Sequence, residues 1–265
     1  MVEDFSDAEP GFEKSVMGRS LMLLEAISRA GRPLSLGILA DVTHLPKSTV
    51  HRMANQLMDL GLLDRSDRGF SLGLRIFEWG SQAEKQRDLR RIATPYLSDL
   101  HRRLGETVHL GVLDGSEVLY IEKIEARSAI SCPTYVGGRK PAHATALGKA
   151  MLAFSPQAAK SLIETERLPH ETLRTIRHGG LLYRQLLDIR TQLVSVEREE
   201  SFPGIACVAA PILNRRGGAV GAISITSSTL RFDAARFAPL IRQTAGQIAR
   251  ELADRDEIPL DGTLS

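Results

Sequence analysis

Residues 36–72 read LGILADVTHLPKSTVHRMANQLMDLGLLDRSDRGFSL, and the order of signals in this stretch decides the fold of the first third of the chain. Ser35 is an N-cap for a short helix over 36–43, whose apolar side is Leu36, Leu39, Ala40 and Val42. His44 and Leu45 make a turn. Pro46, whose missing N–H costs least in a first helical turn, opens a second helix that continues to Leu60, and Gly61 ends it. Val50, Met53, Ala54, Leu57 and Leu60 recur at three- and four-residue steps, so they face a core. Lys47, Ser48, Thr49, His51, Arg52, Asn55 and Gln56 are left on the outside. A hairpin follows, with strands at 62–65 and 70–72 joined by Ser66, Asp67, Arg68 and Gly69, where glycine supplies the permissive backbone such turns need.

Short helix, tight turn, longer helix and charged hairpin is the order of a winged helix-turn-helix, so double-stranded DNA is the expected partner. Ser48 and Thr49 lie near the N-terminal end of the second helix, the part that meets base edges. Arg52 is one turn on, within reach of a guanine edge or a phosphate, while Lys47 and His51 suit phosphates. Arg65 and Arg68 sit at the hairpin tip and would rest on the DNA backbone. A solvated helix face would carry the same residue types; the helix before, the turn and the hairpin after favour DNA. The net charge is only +2, but residues 14–75 hold nine basic against five acidic side chains, and a cationic first domain suits a polyanion.

At 265 residues, 43% hydrophobic and 25% charged, the chain is long enough for two cores. Residues 1–13 are acidic and poor in apolar side chains, so a disordered arm is expected there, with no signal peptide. No apolar run has the length of a membrane span, and a cytoplasmic protein is expected. A helix over 15–29, with Val16, Ser20, Leu23, Leu24 and Ile27 on one face and Gly31 as its stop, completes a DNA-binding domain at 14–73. A helix from 74 to about 85 carries Ile76, Phe77 and Trp79; it reads as a linker (74–88) that also contributes to a dimer contact.

Residues 89–253 read as a second domain. A helix over 89–104 contains Pro95, which should kink it or mark its true start. Strands at 107–113 and 117–124 form a hairpin across Asp114-Gly115, and 129–135 reads as a third strand. A glycine-rich, basic loop (136–145) leads to a helix over 146–154; Ser155-Pro156 caps another, and 181–198 reads as a third. Residues 205–213 and 219–227 form a second hairpin, 233–250 a closing helix, and 254–265 a loose tail. Strands flanked by helices on both sides of a mostly antiparallel sheet indicate an α+β domain.

The loop and helix VGGRKPAHATALGKA (136–150) resemble the IclR family of bacterial transcriptional regulators. So do PKSTVHR (46–52), GETVHL (105–110), and GIACVAAPI with GGAVGAISIT (between 204 and 226). The resemblance runs from Lys14 to about Ala253. It implies a winged-helix domain, a linker helix and a GAF-like effector domain, assembled as a homodimer or a dimer of dimers. It also implies a pocket for a small carboxylate or aromatic acid at Ala146, Leu147, Glu197, Cys207, Ser224 and Thr226. The residues support this independently: Ser224 and Thr226 share one face of a strand, with Ile223 and Ile225 opposite, and Cys207 and Ala209 alternate likewise on the partner strand. Thr145 can cap the helix that starts near Ala146, Arg139 and Lys140 add positive charge nearby, and Lys140 is the seventh expected effector contact. The bland alternative is a pair of satisfied core hydroxyls beside a surface turn.

Other chemistries fit less well. The spacing from Gly138 to Gly148-Lys149 is too long for a phosphate loop, and Ala150 stands where Ser or Thr is required. His143 as base and Cys207 as nucleophile would suit acyl transfer, but an apolar strand raises a thiol's pKa. The seven histidines lack zinc spacing. No cofactor, metal or catalytic residue is expected. A redox- or metal-responsive regulator using Cys132 and Cys207 on the same frame is the alternative to an organic effector.

Overall fold

The computed structural model describes residues 15–82, 84–126 and 132–256, without the side chains of 84–87 and 256. The arm expected at 1–13 and most of the tail expected at 254–265 lie outside the described residues. The chain divides into two compact units between Glu84 and Lys85, within the stretch 74–88 read as a linker.

In the first unit, α1 (Val16–Ala30) starts where Ser15 Oγ accepts from Gly18 N at 2.9 Å and stops at Gly31, which has φ 59°. Leu23 and Ile27 are buried, but Val16 lies exposed in the first turn, against expectation, because the core does not extend to that end. Ser35 caps α2 (Leu36–Thr43). Leu39 and Ala40 are buried; Val42 is exposed, and Thr43 turns inward instead, donating its hydroxyl to Leu39 O at 2.6 Å. His44, at φ 55°, swings the chain into α3 (Lys47–Asp59). Pro46 is the N-cap of α3 and not its first helical residue. Val50, Met53, Ala54 and Leu57 are buried as the spacing requires, whereas Leu60 is 53% exposed. The helix stops at Asp59, and Leu60 is carried off the inward face as the C-cap.

The hairpin pairs β1 (Leu63–Ser66) with β2 (Gly69–Leu72), Ser66 opposite Gly69, so the connection is the two residues Asp67 and Arg68. Gly69 has φ 122°, and a Cβ there would lie 2.3 Å from Leu34 O. Only glycine permits this approach, and it lets Leu34 and Phe70 exchange backbone hydrogen bonds of 2.9 and 2.8 Å. The wing is thereby tied to the segment entering α2. A short α4 (Leu74–Ser81) follows, ending before the expected 85, with Ile76 packed on the first unit's core and Phe77 and Trp79 exposed.

In the second unit, α5 (Glu84–Leu104) runs through Pro95, so the proline does not mark its start. A six-stranded, wholly antiparallel sheet follows: β3 (Thr107–Asp114), β4 (Glu117–Ile124), β5 (Arg139–Pro141), β6 (Ser195–Arg198), β7 (Ile205–Leu213) and β8 (Ala219–Ser228), in the order β5-β4-β3-β8-β7-β6. On one face Val108, Leu110, Val208, Ile223 and Ile225 pack with α5 and with α9 (Ala234–Asp256). On the other face Val118, Tyr120, Ala209 and Ala222 pack with α6 (Ala146–Leu152), α7 (Pro156–Glu164) and α8 (Gly179–Gln192).

Three expectations are corrected. Within the strand expected at 129–135, residues 129–131 lie outside the described residues and 132–135 are not strand; Lys123 Nζ instead donates to Cys132 O at 3.0 Å and Thr134 O at 2.8 Å, occupying carbonyls a ladder would use. The strand beside β4 is β5. The helix expected over 181–198 ends at Gln192, where Leu193 takes φ 57°, and residues 195–198 form β6 because β7 offers an open edge. Finally, α9 continues through Asp254 and Arg255, inside the stretch 254–265 expected to be a loose tail. Among the described residues, no helix is long and apolar enough to cross a membrane.

Candidate functional site

The first unit presents the outer face of α3 and the wing. Lys47, Ser48, His51, Arg52, Arg65 and Arg68 are exposed and Thr49 is half-buried. No described carboxylate pairs with Lys47, Arg52, Arg65 or Arg68; Arg65 lies over the Phe70 ring at 5.6 Å. No side chain caps α3, and no acid stands in its first turn, so its free N–H groups and positive helix end face outward beside these cations. The face is therefore electrostatically open to an anion.

The second unit holds a small, partly open pocket of about 20 Å³ on the α6 side of the sheet. Ala146, Leu147, Glu197, Cys207, Ser224 and Thr226 line it, six of the seven effector positions named from the sequence. Register brings them together: Cys207 pairs with Thr226 and Glu197, and Ala209 with Ser224. Gly148 lets the start of α6 close on the wall, because a Cβ there would meet Ala142 O at 2.1 Å. Thr145 caps that helix by accepting from Gly148 N at 2.9 Å.

Lys140 is not among the lining residues. It lies on edge strand β5, with Nζ 4.4 Å from the centre of the Phe202 ring and an ion pair to Glu171. Phe202, whose ring lines the cavity, stands in its way. Arg139 likewise pairs with Asp114 and Glu117. The cavity wall also includes His109, Tyr120, Cys132, Thr134, Ser201 and Ile205, which local sequence patterns did not mark. The alternation of β3 could have found His109, since it faces Ser224 across the ladder.

Burial pushes His109 down to about 3, with the Lys123 charge adding to the effect, so the ring is neutral; Nε2 lies 2.8 Å from Thr134 Oγ1. Burial pushes the Cys207 thiol well up, and the Glu197 charge adds to it; Sγ lies 3.2 Å from Thr226 Oγ1. His143 bonds Pro169 O through Nε2 at 2.8 Å and does not join Cys207 in a nucleophile–base pair. Among the described residues no group of three or more His, Cys, Asp or Glu side chains is placed to hold a metal ion.

Glu197 is held above the ordinary carboxylate range, first by burial and then by the nearby Glu200 charge; the Cys207 thiol, the Glu200 N–H and Lys149 pull the other way. A raised folded pKa means the folded state favours the protonated acid. That stabilisation is full below the unfolded value of about 4.3 and is lost as pH rises through the folded pKa. Wild type should therefore lose melting temperature relative to Glu197→Gln as pH rises from about 4.5 to 8. Parallel melting curves for the two proteins across that range would contradict the assignment.

The family model described as the bacterial transcriptional regulator IclR C-terminal domain matches residues 81–250, and that of the IclR helix-turn-helix domain matches 16–67. The HTH-type transcriptional regulator XynR of Escherichia coli K12 is 33% identical over 223 residues, 83% of this chain and 88% of XynR. The HTH-type transcriptional regulator KdgR of the same organism is 30% identical over 256 residues, 94% of this chain and 97% of KdgR. An IclR homolog from Microbacterium hydrocarbonoxydans, solved in complex with 4-hydroxybenzoate, superposes with a TM-score of 0.81 over 90% of this chain and 99% of its own, at 24% identity, a likeness that concerns the fold. The matched families and relatives are transcriptional regulators and not enzymes.

Proposed function

The chain belongs to the IclR family of bacterial transcriptional regulators, with a DNA-binding helix-turn-helix domain and an effector domain, and on that premise we propose that it is a cytoplasmic repressor whose operator binding is controlled by a small organic or aromatic acid. The supporting observation is a division of chemistry between the two units: a basic face on α3 and the wing without ion pairs among the described residues in one, a small pocket with a hydroxyl-bearing floor in the other. In this reading Ser48, Thr49 and Arg52 read bases, while Lys47, His51, Arg65 and Arg68 hold phosphates. Ala146, Leu147, Glu197, Cys207, Ser224 and Thr226 contact the effector.

Residues 74–88 link the two functions in a homodimer or dimer of dimers. Two heads must meet two half-sites of a pseudo-palindromic operator at fixed spacing. An effector that prefers one arrangement of the linking segments changes that spacing and so the affinity. Repression follows from a dimer lying across a promoter.

The test is an anisotropy titration on promoter DNA at several salt concentrations. If Lys47, Arg65 and Arg68 of two heads all meet phosphates, log affinity falls against log salt with a slope of about −5. A slope near zero would remove the DNA role; operator affinity unmoved by any small acid would remove the effector role.

A further inference from the structure

We propose that the junction between α7 and α8 holds a second binding site, for the phosphate monoester of a small hydroxyl-bearing molecule, with Arg167, Arg177 and His178 as its anion contacts. The site shares no lining residue with the pocket at Glu197 and Cys207.

An open pocket of about 400 Å³ lies at this junction, lined by Glu166, Arg167, Arg177 and His178. Three of these four side chains can donate to an anion. Other cations around the same loop are neutralised: Arg174 Nε lies 3.0 Å from Glu199 Oε2, and Lys140 pairs with Glu171. Arg167 and Arg177 have no such partner among the described residues, and Arg177 Nε is shut off from solvent without a hydrogen bond. A buried donor left unmade is costly, more so when it is charged. Two guanidinium groups lining one pocket also repel each other, and an anion between them relieves both costs.

The backbone holds these groups in place. Leu168 N donates to Arg177 O at 3.0 Å, which ties the two arginine-bearing segments together. Leu168 and Ile176, 1% and 6% exposed, anchor those segments in the core. Thr175 Oγ1 donates to Glu200 O at 2.6 Å and fixes the approach to Arg177. The start of α8 adds to the field. Its N-cap His178 makes no side-chain cap, no acid stands in its first turn, and Gly179 N and Gly180 N meet no acceptor among the described residues. A Cβ on Gly179 would lie 2.0 Å from Ile163 O, so glycine lets this positive helix end close on the end of α7.

The donors choose the anion. Planar guanidinium forks match the oxygens of a phosphate in bidentate fashion. The pocket is larger than a bare phosphate fills and lies within the size range of small-molecule sites. Glu166 is the one carboxylate among its lining residues and pairs with neither arginine. It repels a second anionic group and accepts from hydroxyls, so a sugar or polyol phosphate is the complementary class.

Calorimetry on the full chain with glucose 6-phosphate, glycerol 3-phosphate, inorganic phosphate and glucose tests this. At least one ester should bind wild type, inorganic phosphate should bind more weakly, and glucose should not bind. Arg177→Gln should lower ester affinity about tenfold or more, the usual loss for a hydrogen bond to a charged group. Arg167→Gln should do the same and serves if Arg177→Gln melts early. Glu166→Ala should narrow the gap between ester and inorganic phosphate, and Arg52→Ala, in the first unit, should change nothing. Folded Arg177→Gln and Arg167→Gln proteins that bind the ester as tightly as wild type overturn the site, as does loss of binding through Arg52→Ala instead. Inorganic phosphate binding as tightly as both esters overturns the assigned ligand class, and failure of both esters to bind overturns the proposal entirely. Operator affinity falling with Arg177→Gln as far as ester affinity would make this patch a DNA contact and overturn it as a small-ligand site.

Discussion

Arg52→Ala lowers operator affinity by about 5- to 150-fold, the equivalent of about 1–3 kcal/mol for a bidentate base contact, and leaves ligand affinity in the second unit unchanged. Arg52 is exposed on α3, one turn beyond Ser48 and Thr49, and has no ion pair to a described residue. Its charge is therefore not spent inside the protein. Alanine is the better helix former, so α3 itself is not weakened by the change. The loss should be largest on the cognate site and smaller on unrelated DNA, because a phosphate contact weakens all sequences alike whereas a base contact does not. Anisotropy against cognate and scrambled duplexes, with calorimetry of the ligand, reads both quantities. Matching losses of DNA and ligand affinity would mean that the substitution had damaged the whole chain.

Lys149→Met destabilises the second unit by about 3–5 kcal/mol, the cost of removing one partner of a buried ion pair. Lys149 is fully buried on α6, and its Nζ reaches Glu200 Oε1 at 2.7 Å, Gln185 Oε1 at 3.0 Å and Val196 O at 3.0 Å. One ammonium thus ties α6 to α8, to β6 and to the loop after β6, the elements that surround Glu197. Removing it leaves three acceptors without their donor, and Glu200 Oε2 has no partner to begin with. Glu200 is already pushed above the usual carboxylate range by burial, against the pull of Lys149. The double substitution Lys149→Met with Glu200→Gln removes the stranded charge and should recover part of the loss. Urea unfolding of the three proteins measures this; a loss below about 1 kcal/mol for the single variant would assign the pair to a solvated surface.

The readable parts of this fold are those governed by neighbours within one or two turns. Ser35 before an apolar run, Gly31 after one, and the spacing of Val50, Met53, Ala54 and Leu57 prescribe the three helices of the first unit, and all are found. Leu60 escaped the same rule because a repeat pattern does not say where the helix stops. Ser224 and Thr226 were readable as one face of a strand for the same local reason: side chains alternate with a period of two. Thr145 was readable as a cap from its place before Ala146.

What local spacing could not decide lies across the sheet. Residues 195–198 suit a helix by pattern and become β6 because β7 leaves an edge to pair with, an option visible only once the strands are ordered. Lys140 is close to the pocket along the chain, yet β5 sets it over the Phe202 ring. Tyr120 carried no local mark at all. It lines the pocket together with Ser224 because β4 lies beside β3 and β3 beside β8. A winged DNA-binding head and a hydroxyl-bearing strand follow from short-range periodicity in the chain. Which side chains meet around the cavity follows from register between strands far apart in sequence, because each backbone hydrogen bond in the ladder sets the face on which a distant side chain emerges.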